Sequence, residues 1–149
     1  MAAPVERCFD LARSIDLHQA STAETRERAI SGRTSGLIGL GEEVTWQARH
    51  FGVWQILTSR ITAYNPPHHF RDTQVRGVFR RFDHDHYFLR EGTGTQMVDV
   101  FDFQAPFGVL GILAERSFLM RYMQRFLTAR NAVIKCVAES QRWQQFLST

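Results

Sequence analysis

The sequence predicts a single α+β domain in which a curved antiparallel sheet wraps around one long C-terminal helix. Three observations predict it. Between residues 27 and 103, five or six segments alternate in polarity with the two-residue period of a strand, separated by glycine- and proline-bearing turns at hairpin spacing. One long amphipathic stretch follows them, and two short helical patterns precede them. At 149 residues the chain is long enough for one domain, residues 1–149, with its own core.

Taken in order, Pro4 to Arg13 opens the chain as a helix. Proline suits a first turn because its missing N–H has no partner there, and Glu6 lies at the positive end of the helix dipole. Val5, Phe9 and Ala12 form an apolar stripe, with Cys8 and Leu11 beside it. Ile15 to His18 reads as a turn or short helix, with His18 at the surface or at a cap, and Ser21 or Thr22 can cap a further turn. Glu27 to Arg33 is a first strand closing on Gly32. The glycine-rich run Gly36 to Gly41 is read as a structural loop, because a strand follows it where a phosphate loop requires a helix.

Glu43 to His50 alternates, placing Val44, Trp46, Ala48 and His50 inward. Phe51-Gly52 turns the chain into a β-branched strand from Val53 to Tyr64, ended by Asn65-Pro66-Pro67. On that strand Arg60 is either an outward salt-bridge partner or an inward anion anchor. Phe70 to Arg76 follows with Phe70, Asp72 and Gln74 on one face; Gly77 allows a bulge or turn before the strand Val78 to Arg90. Glu91 to Gly94 makes a hairpin, and Thr95 to Phe103 pairs back with Thr95, Met97, Asp99, Phe101 and Phe103 on one face. Pro106-Phe107-Gly108 breaks the sheet. A helix from near Ile112 to near Ser140 carries an apolar stripe of Leu119, Tyr122, Met123, Phe126, Ala129, Val133, Cys136 and Val137. Residues 141–149 read as a frayed tail in which Trp143 and Phe146 can dock.

Composition narrows the partners. The formal charge is +3, carried by arginines scattered along the chain, with Lys135 the only lysine. Nucleic-acid binding calls for basic residues gathered on one face, so none is expected. No uncharged apolar run reaches the roughly 18 residues of a membrane helix, and Met1 to Arg7 lacks the blocks of a signal peptide. A cytoplasmic protein without membrane insertion is expected, with Cys8 and Cys136 as buried free thiols. No pattern calls for a cofactor.

Several segments resemble the START-like, or SRPBCC, superfamily of helix-grip domains. They are Ala3 to Leu11, Val44-Thr45-Trp46, Pro66 to Asp72, Gly77 to Phe88, Gly94 to Asp99 and Ala105 to Gly108. They look like the branch related to polyketide cyclases and to the C-terminal domain of SulA-like epimerases. The resemblance covers most of residues 3–139 and implies a cavity between sheet and helix. That superfamily includes lipid carriers, hormone receptors and cyclases, so fold does not select among them. It also implies a strand before Ala3, for which Met1-Ala2 leaves no room. The expectation is a sheet lacking its first strand, with an exposed edge open to a homodimer, and this edge also leaves open a protein-interaction module without a small ligand.

The most informative stretch is Phe82 to Phe88. Its alternation puts Phe82, His84, His86 and Phe88 on one face and Asp83, Asp85 and Tyr87 on the other. With the meander closed, His50, Asp72, Gln74, His84, His86 and Asp99 are expected to converge. Three readings stay open: a buried hydrogen-bonded network, a pocket orienting the polar end of a small hydrophobic or amphipathic molecule, or acid–base catalysis by His84 or His86 with Asp99. The apolar lining is expected from Trp46, Phe82, Phe88, Met97, Phe101, Tyr122, Met123 and Phe126. A metal held by His84, His86, His50 and Asp99 is the minor variant of the catalytic reading, and no metal site is assigned.

Overall fold

The computed structural model describes residues 1–105 and 118–147. The expected break at Pro106-Phe107-Gly108 and the helix start near Ile112 lie outside the described residues. Two helices, α1 (Val5–Ala12) and α2 (Ile15–Ser21), and a 3-10 turn (Ala23–Thr25) precede six strands. These are β1 (Arg28–Gly32), β2 (Glu43–His50), β3 (Val53–Asn65), β4 (His69–Arg76), β5 (Arg81–Glu91) and β6 (Gly94–Gln104). They form one antiparallel sheet in the order β1-β2-β3-β4-β5-β6. The long helix α3 (Met120–Ala138), a 3-10 turn (Gln141–Trp143) and α4 (Gln144–Leu147) follow. None of the described helices is long and apolar enough to cross a membrane.

The meander follows from its turns. Phe51 and Gly52 have φ of 53° and 79°, the left-handed pair that lets a two-residue hairpin match the twist of its strands. Register shifts at Ala29/Ser31, Thr58/Ser59 and Ile61/Ala63 break the ladder locally, and such irregularities bend a sheet. The inward set of β2 is as alternation predicts, with Val44, Trp46 and Ala48 buried. Arg60 faces outward, paired with Glu43.

The core fills one end of the space between sheet and helix. Phe9 of α1 meets Tyr64, Phe70 and Phe88 edge-on, with ring centroids 5.5–5.6 Å apart. The C-terminal half of α3 closes this core with Ile134, Val137 and Ala138, and it packs on α1 and α2. Its N-terminal half stands over the other end, where Tyr122, Met123, Phe126 and Leu127 are only half-buried.

Several expectations are corrected. The buried face of α3 runs through Arg130, Ile134, Val137 and Ala138, with Phe126 half-buried on the same side, while Ala129 and Cys136 are exposed. The expected stripe had drifted by one position, because apolar residues on both flanks blur the 3.6-residue period. Ser21 and Thr22 donate to the His18 carbonyl at the end of α2, where they serve that helix rather than capping the next turn. Residues 141–147 are folded instead of frayed, with Trp143 and Phe146 docked as expected: Trp143 lies under the Arg7 guanidinium at 4.4 Å, and Phe146 and Leu147 pack on the core, while residues 148–149 lie outside the described ones. β6 is a sheet edge; on its side away from β5 the Met1 backbone pairs with Thr95, whose hydroxyl also donates to the Ala3 carbonyl.

Candidate functional site

Between the sheet and the N-terminal half of α3 lies a cavity of about 600 Å³ among the described residues. Its sheet wall includes Trp46, Ala48, Leu57, Ile61, Phe82 and Phe101, and its helix wall Tyr122, Met123, Phe126 and Leu127. The wall is mostly apolar because the inward face of each strand carries every second residue, and those positions are aliphatic or aromatic. At the rim, Phe51 contacts Tyr122 and Phe118 with ring centroids 4.6 and 5.2 Å apart.

Strand register builds the polar centre. Asp72 lies directly opposite His84 across β4 and β5, and His86 directly opposite Asp99 across β5 and β6. Paired residues share a face, so the four side chains meet. His86 Nδ1 donates to Asp99 Oδ1 at 2.8 Å and Nε2 to Asp72 Oδ2 at 3.0 Å. Asn131 of α3 donates to the other Asp99 oxygen at 2.5 Å. His86 stacks on Phe70 at 4.2 Å. The buried Nε2 of His84 has no hydrogen-bond partner among the described residues; it lies 3.6 Å from Asp99 Oδ1, and Nδ1 lies 3.7 Å from Asp72 Oδ2.

This geometry separates the two imidazoles. Burial opposes charge on His86, but its two carboxylate hydrogen bonds outweigh burial and raise its pKa, making it an imidazolium with both N–H groups used. Burial and the neighbouring His86 charge together lower the pKa of His84, which is neutral. Burial favours the neutral forms of Asp72 and Asp99, yet the facing imidazoles overcome it and hold both carboxyls below their ordinary range.

A second polar group borders the same cavity. His18 stacks on Trp46 at 4.2 Å and lies 3.3 Å from the buried Glu27 carboxylate. Burial works against the Glu27 charge, and His18 outweighs it, lowering the pKa. Between the two groups Arg130 is buried, donating to the Ala12 carbonyl at 2.9 Å, with no carboxylate within salt-bridge distance among the described residues. At the far end the Tyr122 hydroxyl donates to His50 Nδ1 at 2.5 Å. Burial lowers the His50 pKa against the pull of Glu27, so its ring accepts.

Of the expected site residues, Trp46, His50, Asp72, Phe82, His84, His86, Phe101, Tyr122, Met123 and Phe126 border the cavity. Four do not. Gln74 is turned to the β4–β5 connection, where its amide bonds both the N–H and carbonyl of Phe79. Phe88 and Met97 belong to the core beside α1, because they sit further along β5 and β6, where that helix fills the space. Asp99 stands behind His86 instead of on the cavity wall. His50 is placed with Tyr122, so the four-ligand metal set of His84, His86, His50 and Asp99 is not assembled; Asp72 takes the position beside the two histidines.

The sequence reading missed His18, Glu27, Arg130 and Asn131. Arg130 had a signal, lying four residues after Phe126 and four before Ile134 on one helical face. His18 had a weaker one, three residues after the buried Ile15. Glu27 and Asn131 had none, since only the tertiary fold brings them to their partners.

No protein-family model matches the chain, and a search of curated proteins returns no match. Solved structures match well. TTHA0849 from Thermus thermophilus superposes with a TM-score of 0.75 at 20% identity, covering 94% of each chain. The Zhui aromatase/cyclase from Streptomyces sp. R1128 gives 0.69 at 18% identity, covering 90% of this chain and 86% of that one. Ginseng major latex-like protein 151 from Panax ginseng gives 0.67 at 14% identity, covering 93% and 91%. At such identities the likeness establishes architecture and no more. The six strands curved around a C-terminal helix give this chain the helix-grip fold that these neighbours share.

Proposed function

We propose that the chain binds a small, largely apolar molecule with one polar end in the cavity between the sheet and α3. The cavity carries the reading. Its volume of about 600 Å³ and its aromatic and aliphatic walls, interrupted by a few polar groups, are what small-molecule sites typically offer. Trp46, Phe101, Met123 and Phe126 supply the apolar contact, and the Asp72, His84 and His86 group meets the polar end. The test is native mass spectrometry of protein purified without unfolding, together with displacement of an environment-sensitive apolar dye. A bound species or dye that Ala48→Trp excludes by filling the cavity is expected. Dye binding equal in wild type and Ala48→Trp overturns the reading.

A cyclase- or dehydrase-type reaction is the second reading, favoured by the opposite protonation of the adjacent His84 and His86. In it His84 takes a proton from a carbon next to a carbonyl and returns it to a departing hydroxyl, which leaves as water. His86, held by Asp99, keeps the charge that stabilises the enolate. His84→Gln then abolishes dehydration of a β-hydroxyketone substrate; unchanged turnover refutes it.

A further inference from the structure

We infer that Asp72, His84 and His86 form a binding site for one divalent transition-metal ion on the cavity wall. Asp72 lies opposite His84 in register, and His84 and His86, two residues apart on β5, project to the same face. One ligand atom from each of the three lies within 4.8 Å of the others. Asp72 Oδ2 is 3.0 Å from His86 Nε2 and 3.7 Å from His84 Nδ1. Atoms bound to a common ion at about 2.0–2.2 Å sit roughly 3–3.6 Å apart. The three side chains therefore surround a metal-sized gap and need only small shifts to close on it.

Two further observations point to an ion. His84 is a cavity-wall side chain only 8% exposed, and its Nδ1, the nitrogen nearer Asp72, makes no hydrogen bond to any described residue, which leaves its lone pair available to an ion. His86, for its part, has the outer support of a metal-bound imidazole. Its Nδ1 donates to Asp99, which Asn131 holds in turn, and this fixes the ring with Nε2 turned towards Asp72 and His84.

Coordination by His86 Nε2 releases to solvent the proton that this nitrogen donates to Asp72. Two imidazoles and one carboxylate select a transition metal such as Zn²⁺, Fe²⁺ or Co²⁺ over Mg²⁺ or Ca²⁺, and they leave coordination positions open towards the cavity. The inference stands apart from the ligand reading: metal binding is measured with no organic ligand present, and either can fail alone.

The experiment uses the full chain, purified without unfolding, dialysed against a chelator and titrated with Zn²⁺ and with Co²⁺. One ion per chain by calorimetry is expected, with visible Co²⁺ absorption bands that report nitrogen and oxygen ligands. His84→Ala, which leaves the hydrogen bonds of His86 to Asp72 and Asp99 in place, is expected to weaken binding on the order of 100-fold or more, since even outer-shell partners are worth 10–100-fold. His69→Ala alters the outer-face pair of His69 with Asp85 and is expected to change nothing. If circular dichroism shows His84→Ala to be misfolded, Asp72→Asn makes the same test at constant volume and is expected to show the same loss. Absence of binding up to about 1 mM Zn²⁺ (an affinity of only about 4 kcal/mol), or equal affinity in wild type and the folded variant, overturns the site.

Discussion

Replacing Asp99 by Asn in the chelator-treated protein isolates the electrostatics of the polar centre. The change keeps the volume and an acceptor oxygen but removes the charge facing His86 at 2.8 Å and disturbs the bond from Asn131 at 2.5 Å. A hydrogen bond to a charged group contributes about 1.5–3 kcal/mol, and breaking a buried ion pair costs about 3–5 kcal/mol. Asp72 still holds the other nitrogen, so a loss near the lower end, about 3 kcal/mol, is expected. In a domain of this size that corresponds to roughly 6–12 °C in Tm. The sign with pH follows from His86, whose pKa is raised by its carboxylates against burial. Its stabilisation is fully present below its unfolded pKa of about 6.5 and is lost as pH rises through the higher folded value. The Asn variant lowers that folded value, so its penalty is largest near pH 6 and shrinks towards pH 9. Urea unfolding followed by tryptophan fluorescence measures this, Trp46 lying in the cavity wall. A penalty under about 0.5 kcal/mol at pH 6, or one that grows with pH, refutes the assignment of His86 as the shared imidazolium.

Other substitutions test the remaining placements. Arg130→Leu removes the one buried guanidinium among the described residues and its bond to Ala12, and is expected to cost about 3 kcal/mol in urea unfolding; a neutral result places Arg130 in solvent. Gln74→Ala is expected to cost about 1–2 kcal/mol by freeing the Phe79 turn, while apolar dye affinity stays within about twofold. A large loss of dye affinity returns Gln74 to the cavity. Phe51→Asn relieves the positive φ but loses two rim contacts, so stability is expected within about 1 kcal/mol of wild type, with faster dye release in stopped flow. Slower release counts against a rim role.

The alternation of Phe82 to Phe88 and of Thr95 to Phe103 was enough to place His84, His86 and Asp99 on one face, because a strand's period of two leaves no other choice. The β4 pattern likewise turned Asp72 inward. Gln74 shares that face with Asp72, yet it sits next to Gly77 and is taken by the Phe79 turn, a contact that periodicity does not encode. His18 looked like a surface residue because α2 is only two turns long and its faces cannot be told apart by pattern.

Local sequence thus determined the meander, the inward faces of its strands and the presence of one long helix, since these depend on periods of two and 3.6 residues and on turn chemistry. Tertiary structure decided the rest. Which strand positions border the cavity depends on how far α1 intrudes, and that assigned Phe88 and Met97 to the core and left Phe82 and Phe101 at the cavity. Long-range packing also brought Glu27, Arg130 and Asn131 to their partners. Asn131 and Asp99 lie 32 residues apart in the chain, and only the docking of α3 on the sheet makes them neighbours.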